Sequence, residues 1–206
     1  MVEERSAPAI GFDLDLTLID ARPGMVRAMG AVNAEFGTQV DAQHFAANLG
    51  PPLDHVLRGY GFDEPLIERM VAHFRAIYPT VVIGDTVALP GAEESLDAVR
   101  DRGARSLVIT GKYEPNAALH LKALGWEVDR LAGEVFAEAK GDVLRAEGAT
   151  IYVGDHHGDI AGAKAAGALA VGVATGPYTA GQLRELGADV VLGELTEFPA
   201  WLAENA

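Results

Sequence analysis

The 206-residue sequence contains no cysteine. Disulfides, thiolate nucleophiles and zinc–thiolate centres are therefore excluded, and a reducing interior is the expected setting. Basic residues are scarce: 16 Lys and Arg stand against 30 Asp and Glu, a formal net charge of −14. That balance does not suit electrostatic binding of nucleic acid or of an anionic membrane, since both need clustered cations. It leaves anionic small molecules open, because a bound cation inverts the local field. No apolar run approaches the ~18 residues of a membrane span, and the opening MVEERSAP has no apolar signal core. No long exposed apolar stripe stands out either. A soluble cytoplasmic monomer is the resulting expectation.

What is present is core material. Apolar residues make up 49% of the chain, enough for one sizeable domain or one domain with a small insertion. From residue 88 onward, short apolar runs alternate with helical patterns. Strands are expected at 105–109, 131–136, 150–153, 169–174 and 189–192. Helices are expected at 91–102, 114–124, 140–147, 160–166, 179–186 and 197–204, several of them stopped by glycine. Such alternation reads as α/β, a doubly wound, mainly parallel sheet covered on both faces. Ligands bind such sheets at the carboxyl ends of the strands.

Residues 21–87 break the alternation. Met25, Met29, Val32 and Phe36 form one helical stripe. Asp41 and Asp63 each stand where a helix cap would, and Pro79 reads as a stop. The expected organisation is an α/β core of residues 1–20 and 88–206, with an inserted all-α helical bundle at 21–87.

Four polar features fall at strand ends of that core. Asp13, Asp15 and Thr17 follow the apolar run Ala9–Phe12. Two carboxylates two residues apart repel each other, and such a pair needs a cation or a shared proton. Thr110-Gly111-Lys112 follows the strand at 105–109. Lys140 opens a helix. Gly154-Asp155, with Asp159 four residues later, follows the strand at 150–153. Each alone has a structural reading: Thr110 as a helix cap, Lys140 or Lys112 as a solvated lysine, Asp155 and Asp159 as acids at a helix start. His156 and His157 lack the spaced partners of a zinc site. Jointly, four features at four strand ends point to one active site.

The order and spacing of Asp13/Asp15/Thr17, Thr110, Lys140 and Gly154-Asp155-x-x-x-Asp159 resemble the haloacid dehalogenase-like hydrolase superfamily. The resemblance covers essentially the whole chain. PGAEESLDAVRDRGA, IAGAKAAGALAVGVATG and the helical segment after the first motif resemble its phosphoglycolate phosphatase-like branch, where that segment is a cap. The resemblance implies a Rossmann-like core and hydrolysis of a small-molecule phosphate ester. It makes Asp13 the nucleophile and Asp15 the proton donor and acceptor. It implies Mg²⁺ held by Asp13, the Asp15 carbonyl, Asp155 and Asp159, with Thr17, Thr110, Gly111, Lys112 and Lys140 around the phosphoryl group. Three positions depart from the usual pattern: Leu16 for glycine, Gly111 for asparagine, and His156 for serine or threonine. Lys140 also lacks the proline that often follows it; Lys122 and Lys164 compete by composition. Within the superfamily, a phosphosugar mutase shares every core residue, whereas a dehalogenase needs neither Asp15 nor the Asp155/Asp159 pair. A phosphorylated receiver domain would be shorter and carry its aspartate on a later strand. A catalytically idle binding protein of the same fold is the alternative from another class. Arg22 or Arg58 is expected to meet an anionic group of the substrate, with Arg27, His44, Asn48 and His55 as further polar candidates.

Overall fold

The computed structural model describes residues 7–205. In chain order the elements are β1 (Ala9–Phe12), β2 (Ile19–Asp20), α1 (Arg22–Phe36), α2 (Ala42–Ala47), α3 (Leu53–Gly59), α4 (Glu64–Val81), β3 (Val87–Ala88) and α5 (Ala92–Asp101). They continue with β4 (Arg105–Ile109), α6 (Glu114–Leu124), β5 (Arg130–Ala132), α7 (Glu138–Glu147), β6 (Ala149–Gly154), α8 (His157–Ala166), β7 (Leu169–Val173), α9 (Ala180–Glu185), β8 (Val190–Leu192) and α10 (Phe198–Asn205).

Six strands form one parallel sheet in the order β5-β4-β1-β6-β7-β8. Its central strands are apolar on both faces, as a sheet covered by helices on each side requires. The period of two is visible in the packing. Ile10, Phe12, Val108, Ile151 and Val153 point into one hydrophobic cluster, while Ala9, Leu107, Ile109 and Tyr152 point into the other. Phe12 meets Phe198 of α10 edge to face at 5.3 Å, which closes the first side. After β1 the chain builds outward through β4 and β5, then crosses back to lay β6 on the other side of β1. The winding reverses at β1, so the crevice at its carboxyl end is the topological switch point where α/β sheets take ligands.

Helices α1–α4 lie between β2 and β3, which pair antiparallel as a two-residue ribbon. The ribbon is too short to announce itself in the sequence. The side chains of Asp41 and Asp63 accept from the backbone N–H of His44 and Leu66, so both act as caps. Pro79 does not stop its helix: α4 runs on to Val81, with the Val82 N–H bonded to the Tyr78 carbonyl at 2.9 Å. A proline in the last turn removes one hydrogen bond, and burial of Tyr78 and Val82 holds the turn in place. The strand expected at 131–136 is shorter, three residues long, because the chain leaves the sheet at Gly133 to set up α7. The apolar side of the insertion is continuous with the core. Met25, Met29, Val32, Phe45, Met70 and Phe74 join the cluster of Phe12 and Val153 through Leu14, Leu16 and Leu18. Each such fully buried side chain contributes about 1.5–3 kcal/mol.

Candidate active site

The four strand-end features converge. Asp13 and Asp15 follow β1, Thr110 follows the neighbouring β4, Lys140 sits in the first turn of α7 after β5, and Asp155 follows β6 on the other side of β1. All are buried, as are Thr17 and Asp159. A charged group is almost never buried without partners; here the partners are one another.

Lys140 makes the central contacts. Its Nζ donates to Asp13 Oδ1 at 2.9 Å, to Asp159 Oδ1 at 2.6 Å and to the Tyr152 hydroxyl at 2.9 Å, so all three ammonium protons are used. Burial opposes its charge, but Asp13 and Asp159 hold its pKa well above the ordinary lysine value. Tyr152 in turn donates to the Ile109 carbonyl at 2.5 Å. Its ring lies over Gly11 of β1, where a Cβ would come within 2.7 Å of Tyr152 Cδ2. Gly11 therefore makes room for the tyrosine that steadies Lys140. The competing lysines are exposed, and Lys164 pairs with Asp189.

The carboxylates are in tension. Burial pushes the Asp13 carboxyl up to about 6, Lys140 opposes the shift, and Asp159 adds to it. Burial, then Asp159 and Asp13, raise Asp155 well above the usual carboxylate range. Thr17 Oγ1 donates to Asp155 Oδ1 at 2.7 Å, while Asp155 Oδ2 is buried with no hydrogen-bond partner among the described residues. Asp13, Asp155 and Asp159 each offer an oxygen within 4.8 Å of the others. Three buried oxygen donors, one of them an orphaned carboxylate oxygen, suit a hard divalent cation. Thr17, expected near the phosphoryl group, instead spends its hydroxyl on Asp155.

Asp15 stands apart from this triad. Its Oδ2 pairs with Lys112 Nζ at 2.9 Å, and its Oδ1 is buried without a partner among the described residues. Burial raises its pKa, against the lowering effect of Lys112. The Lys112 side chain is only 5% exposed, not the solvated loop lysine that its sequence position allows. Its Nζ also donates to the Tyr78 hydroxyl at 2.5 Å. Thr110 Oγ1 accepts from the Lys112 N–H at 3.2 Å and fixes the start of that loop.

The three departures from the usual motif have local causes. Leu16 sits at φ 59°, the left-handed region that glycine favours. Its side chain is fully buried, and its carbonyl accepts from Thr175 Oγ1 at 2.5 Å; packing and this bond hold the strained backbone. Gly111 faces the Gly50 carbonyl of the α2–α3 loop so closely that any Cβ would run into it. An asparagine there would push the insertion off the core. His156 is the N-cap of α8: its Nδ1 accepts from the Gly158 N–H at 3.2 Å, and Asp159 Oδ2 accepts from the His156 N–H at 2.9 Å. The imidazole does what serine or threonine does elsewhere.

A cleft opens between core and insertion at Asp15. Met25, Phe45, Leu49 and Phe74 line it from the insertion, and Lys112, Tyr113 and Asn116 from the core. Arg22 and Arg58 are not in it. Arg22 pairs with Asp20 at the surface, and Arg58 with Asp54 and Glu64. The cleft's guanidinium is Arg75, which lies over the Tyr113 ring and pairs with Glu134. His44 and Asn48 hydrogen-bond to each other away from this cleft. Sequence reasoning missed Tyr152, Tyr78 and Arg75. Tyr152 carried a signal, a hydroxyl inside an otherwise apolar strand, which demands a buried partner.

Comparison with known proteins agrees with the geometry. The haloacid dehalogenase-like hydrolase family model matches residues 10–164, and a second HAD-hydrolase-like model matches residues 132–198. The chain is 29% identical to a phosphoglycolate phosphatase of Agrobacterium fabrum over all of this chain and 96% of that protein. It is 30% identical to a 5'-nucleotidase of Pseudomonas aeruginosa, over 86% and 87% of the two. Among solved structures, a predicted phosphatase from Clostridium acetobutylicum superposes with a TM-score of 0.82 at 22% identity, covering 96% of this chain and 99% of that one. The fold, the matched residues and the acidic cluster at the switch point lead to one assignment. The chain belongs to the haloacid dehalogenase-like hydrolase family.

Proposed function

We propose that the protein is a Mg²⁺-dependent phosphatase that hydrolyses a small-molecule phosphate monoester through an aspartyl-phosphate on Asp13. The observation that carries this reading is the division of labour among the acids: Asp13 shares Lys140 with Asp159 and clusters with Asp155, while Asp15 is held apart by its own lysine with one oxygen unpaired among the described residues. The names of its relatives favour the same chemistry.

In the first step an Asp13 oxygen forms a bond to phosphorus as the ester P–O bond breaks, and Asp15 gives its proton to the leaving oxygen. In the second, water forms the new P–O bond, Asp15 takes its proton, and the bond to Asp13 breaks to release inorganic phosphate. An anionic nucleophile must approach an anionic phosphate, so catalysis is mainly positioning and charge stabilisation. Lys140 supplies positive charge beside Asp13. Asp13, Asp155, Asp159 and the Asp15 carbonyl would hold Mg²⁺, which supplies further charge neutralisation when bound. Thr110 and the backbone of Gly111 would bind phosphoryl oxygens. Residues 21–87 act as a cap over the core of residues 1–20 and 88–206 and shield the reaction from water. Phosphoglycolate is one candidate substrate through its relatives.

The test is turnover. Purified protein should hydrolyse an aryl phosphate and members of a panel of two- and three-carbon phosphates, sugar phosphates and nucleotides, with activity lost on chelation of Mg²⁺. No Mg²⁺-dependent hydrolysis of any member, or full activity in Asp13→Asn, would sink the reading.

A further inference from the structure

We infer that Lys112 is a positioning residue that fixes which oxygen of Asp15 exchanges protons with the substrate, and that Tyr78 of the helical insertion, backed by His120, holds Lys112 in place. The inference rests on the phosphatase reading, in which Asp15 protonates the leaving group.

The asymmetry of Asp15 is its starting point. One oxygen, Oδ2, is paired with Lys112 Nζ at 2.9 Å; the other, Oδ1, is buried without a partner among the described residues, and Asp15 lines the cleft between core and insertion. A carboxylate free to rotate presents its two oxygens interchangeably. A carboxylate with one oxygen bound to a fixed ammonium presents only the other. Buried polar atoms are normally paired, so the orphaned Oδ1 is the atom left for a ligand that enters the cleft.

Lys112 itself is long and flexible, and it holds Asp15 only if something holds it. Its Nζ donates to the Tyr78 hydroxyl at 2.5 Å. That hydroxyl lies 2.7 Å from His120 Nε2. A hydroxyl that accepts from lysine keeps its own proton and a second lone pair for the imidazole. Tyr78 and His120 are both fully buried, and their rings meet edge to face at 5.6 Å. The chain His120–Tyr78–Lys112–Asp15 therefore joins α6 of the core, α4 of the insertion, the loop after β4 and the loop after β1. None of the first three residues touches the Asp13/Asp155/Asp159 triad through these bonds. With the insertion displaced, Lys112 loses Tyr78, and Asp15 loses its orientation.

This role differs from a substrate-binding lysine in what it predicts. A positioning lysine matters most when the leaving group needs the proton. Alkoxide leaving groups need it; the nitrophenolate of p-nitrophenyl phosphate leaves without it. The comparison uses kcat/KM, which covers the steps up to leaving-group departure and excludes hydrolysis of the intermediate. General acid catalysis contributes about 10²–10⁴-fold, so Lys112→Met should lose on the order of 10²-fold on an alkyl phosphate and only about threefold on p-nitrophenyl phosphate. Tyr78→Phe keeps the ring and its packing. It should show the same selectivity with a smaller loss, about tenfold against twofold. Thermal melts of both variants identify any loss caused by unfolding, and Tyr78→Phe serves if Lys112→Met does not fold. Equal losses of kcat/KM on both substrates, or no change in either variant, would overturn the inference while leaving the phosphatase reading intact. A wild-type protein without phosphatase activity would overturn that reading, and this one with it.

Discussion

Lys140 meets Asp13 across 127 residues of chain, whereas Arg58 meets Asp54 across four. The first pair is buried at the end of the sheet; the second lies on the surface of the helical insertion. The same contrast runs through both regions. At the strand ends, Thr17 reaches Asp155 across 138 residues, and Lys140 reaches Asp159 across 19, all inside the protein. On the insertion, Arg22 turns back to Asp20 and Arg58 to Asp54 and Glu64, in water. Surface pairs made within a few residues are screened and contribute little. Buried pairs made across the fold are expensive to assemble, and removing one partner leaves an uncompensated charge. Charge held in the second way marks the proposed seat of the chemistry; the insertion contributes shape, through Met25, Phe45, Leu49 and Phe74, one hydroxyl, through Tyr78, and one guanidinium, through Arg75.

The sharpest way to break this contrast is at Asp13. Asp13→Asn should lower kcat by about 10³-fold or more in a steady-state phosphatase assay, because it removes the proposed nucleophile. Lys140→Met comes next. It should cost about 10²-fold in kcat and about 3–5 kcal/mol in a denaturant melt, since Asp13 and Asp159 are left buried without their cation. If either variant behaves like a surface substitution, the buried cluster is not the seat of the reaction.

Asp155 sharpens the comparison through stability. Its folded-state pKa is raised by burial and by Asp159 and Asp13. A raised carboxyl binds its proton more tightly folded than unfolded, so its stability contribution is full at low pH and lost as pH rises through the folded pKa. Without Mg²⁺, Asp155→Asn should therefore melt a few degrees higher than wild type at neutral pH, at about 2–4 °C per kcal/mol for a chain of this size. The variant should also lose the stabilisation that Mg²⁺ gives. For wild type, that stabilisation should grow as pH rises through about 6, where Asp13 gives up its proton. Thermal shift with and without Mg²⁺ across pH 5–8 measures both effects.

Gly111→Asn probes the seam between the regions. The new side chain must displace the loop at Gly50, so KM for the best substrate should rise several-fold, on the order of 1–2 kcal/mol of overpacking strain. At the small end, Arg22→Ala and Arg58→Ala should leave kcat/KM within about twofold, as expected of exposed, locally paired cations.

The sequence announced the core more fully than the insertion's edges, for physical reasons. Apolar runs such as LVI at 107–109 and IYV at 151–153 leave a parallel strand little alternative, and the polar residues after them, Thr110 and Asp155, had to meet at the switch point. Three kinds of feature were not legible. The β2–β3 ribbon is two residues long on each side and has no periodicity to detect. Pro79 reads as a stop, yet tertiary burial of Tyr78 and Val82 outweighs the missing N–H. The partners of Lys112 depend on side-chain directions that spacing does not encode. A lysine two residues after a strand looks the same whether it faces water or Asp15. Leu16 and Gly111 looked like departures from a motif; in the fold they are a strained but packed backbone and a seat for the insertion's loop.

The central claim, that Asp13 and Asp15 divide attack from proton transfer, is tested most directly by trapping the intermediate. Acid-quenched protein that has been mixed with substrate and Mg²⁺ can be digested and weighed by mass spectrometry. Asp15→Asn should accumulate one phosphoryl group on the peptide that carries Asp13, and Asp13→Asn should carry none. Equal phosphoryl labelling of the two variants, or label on any other residue, would contradict it.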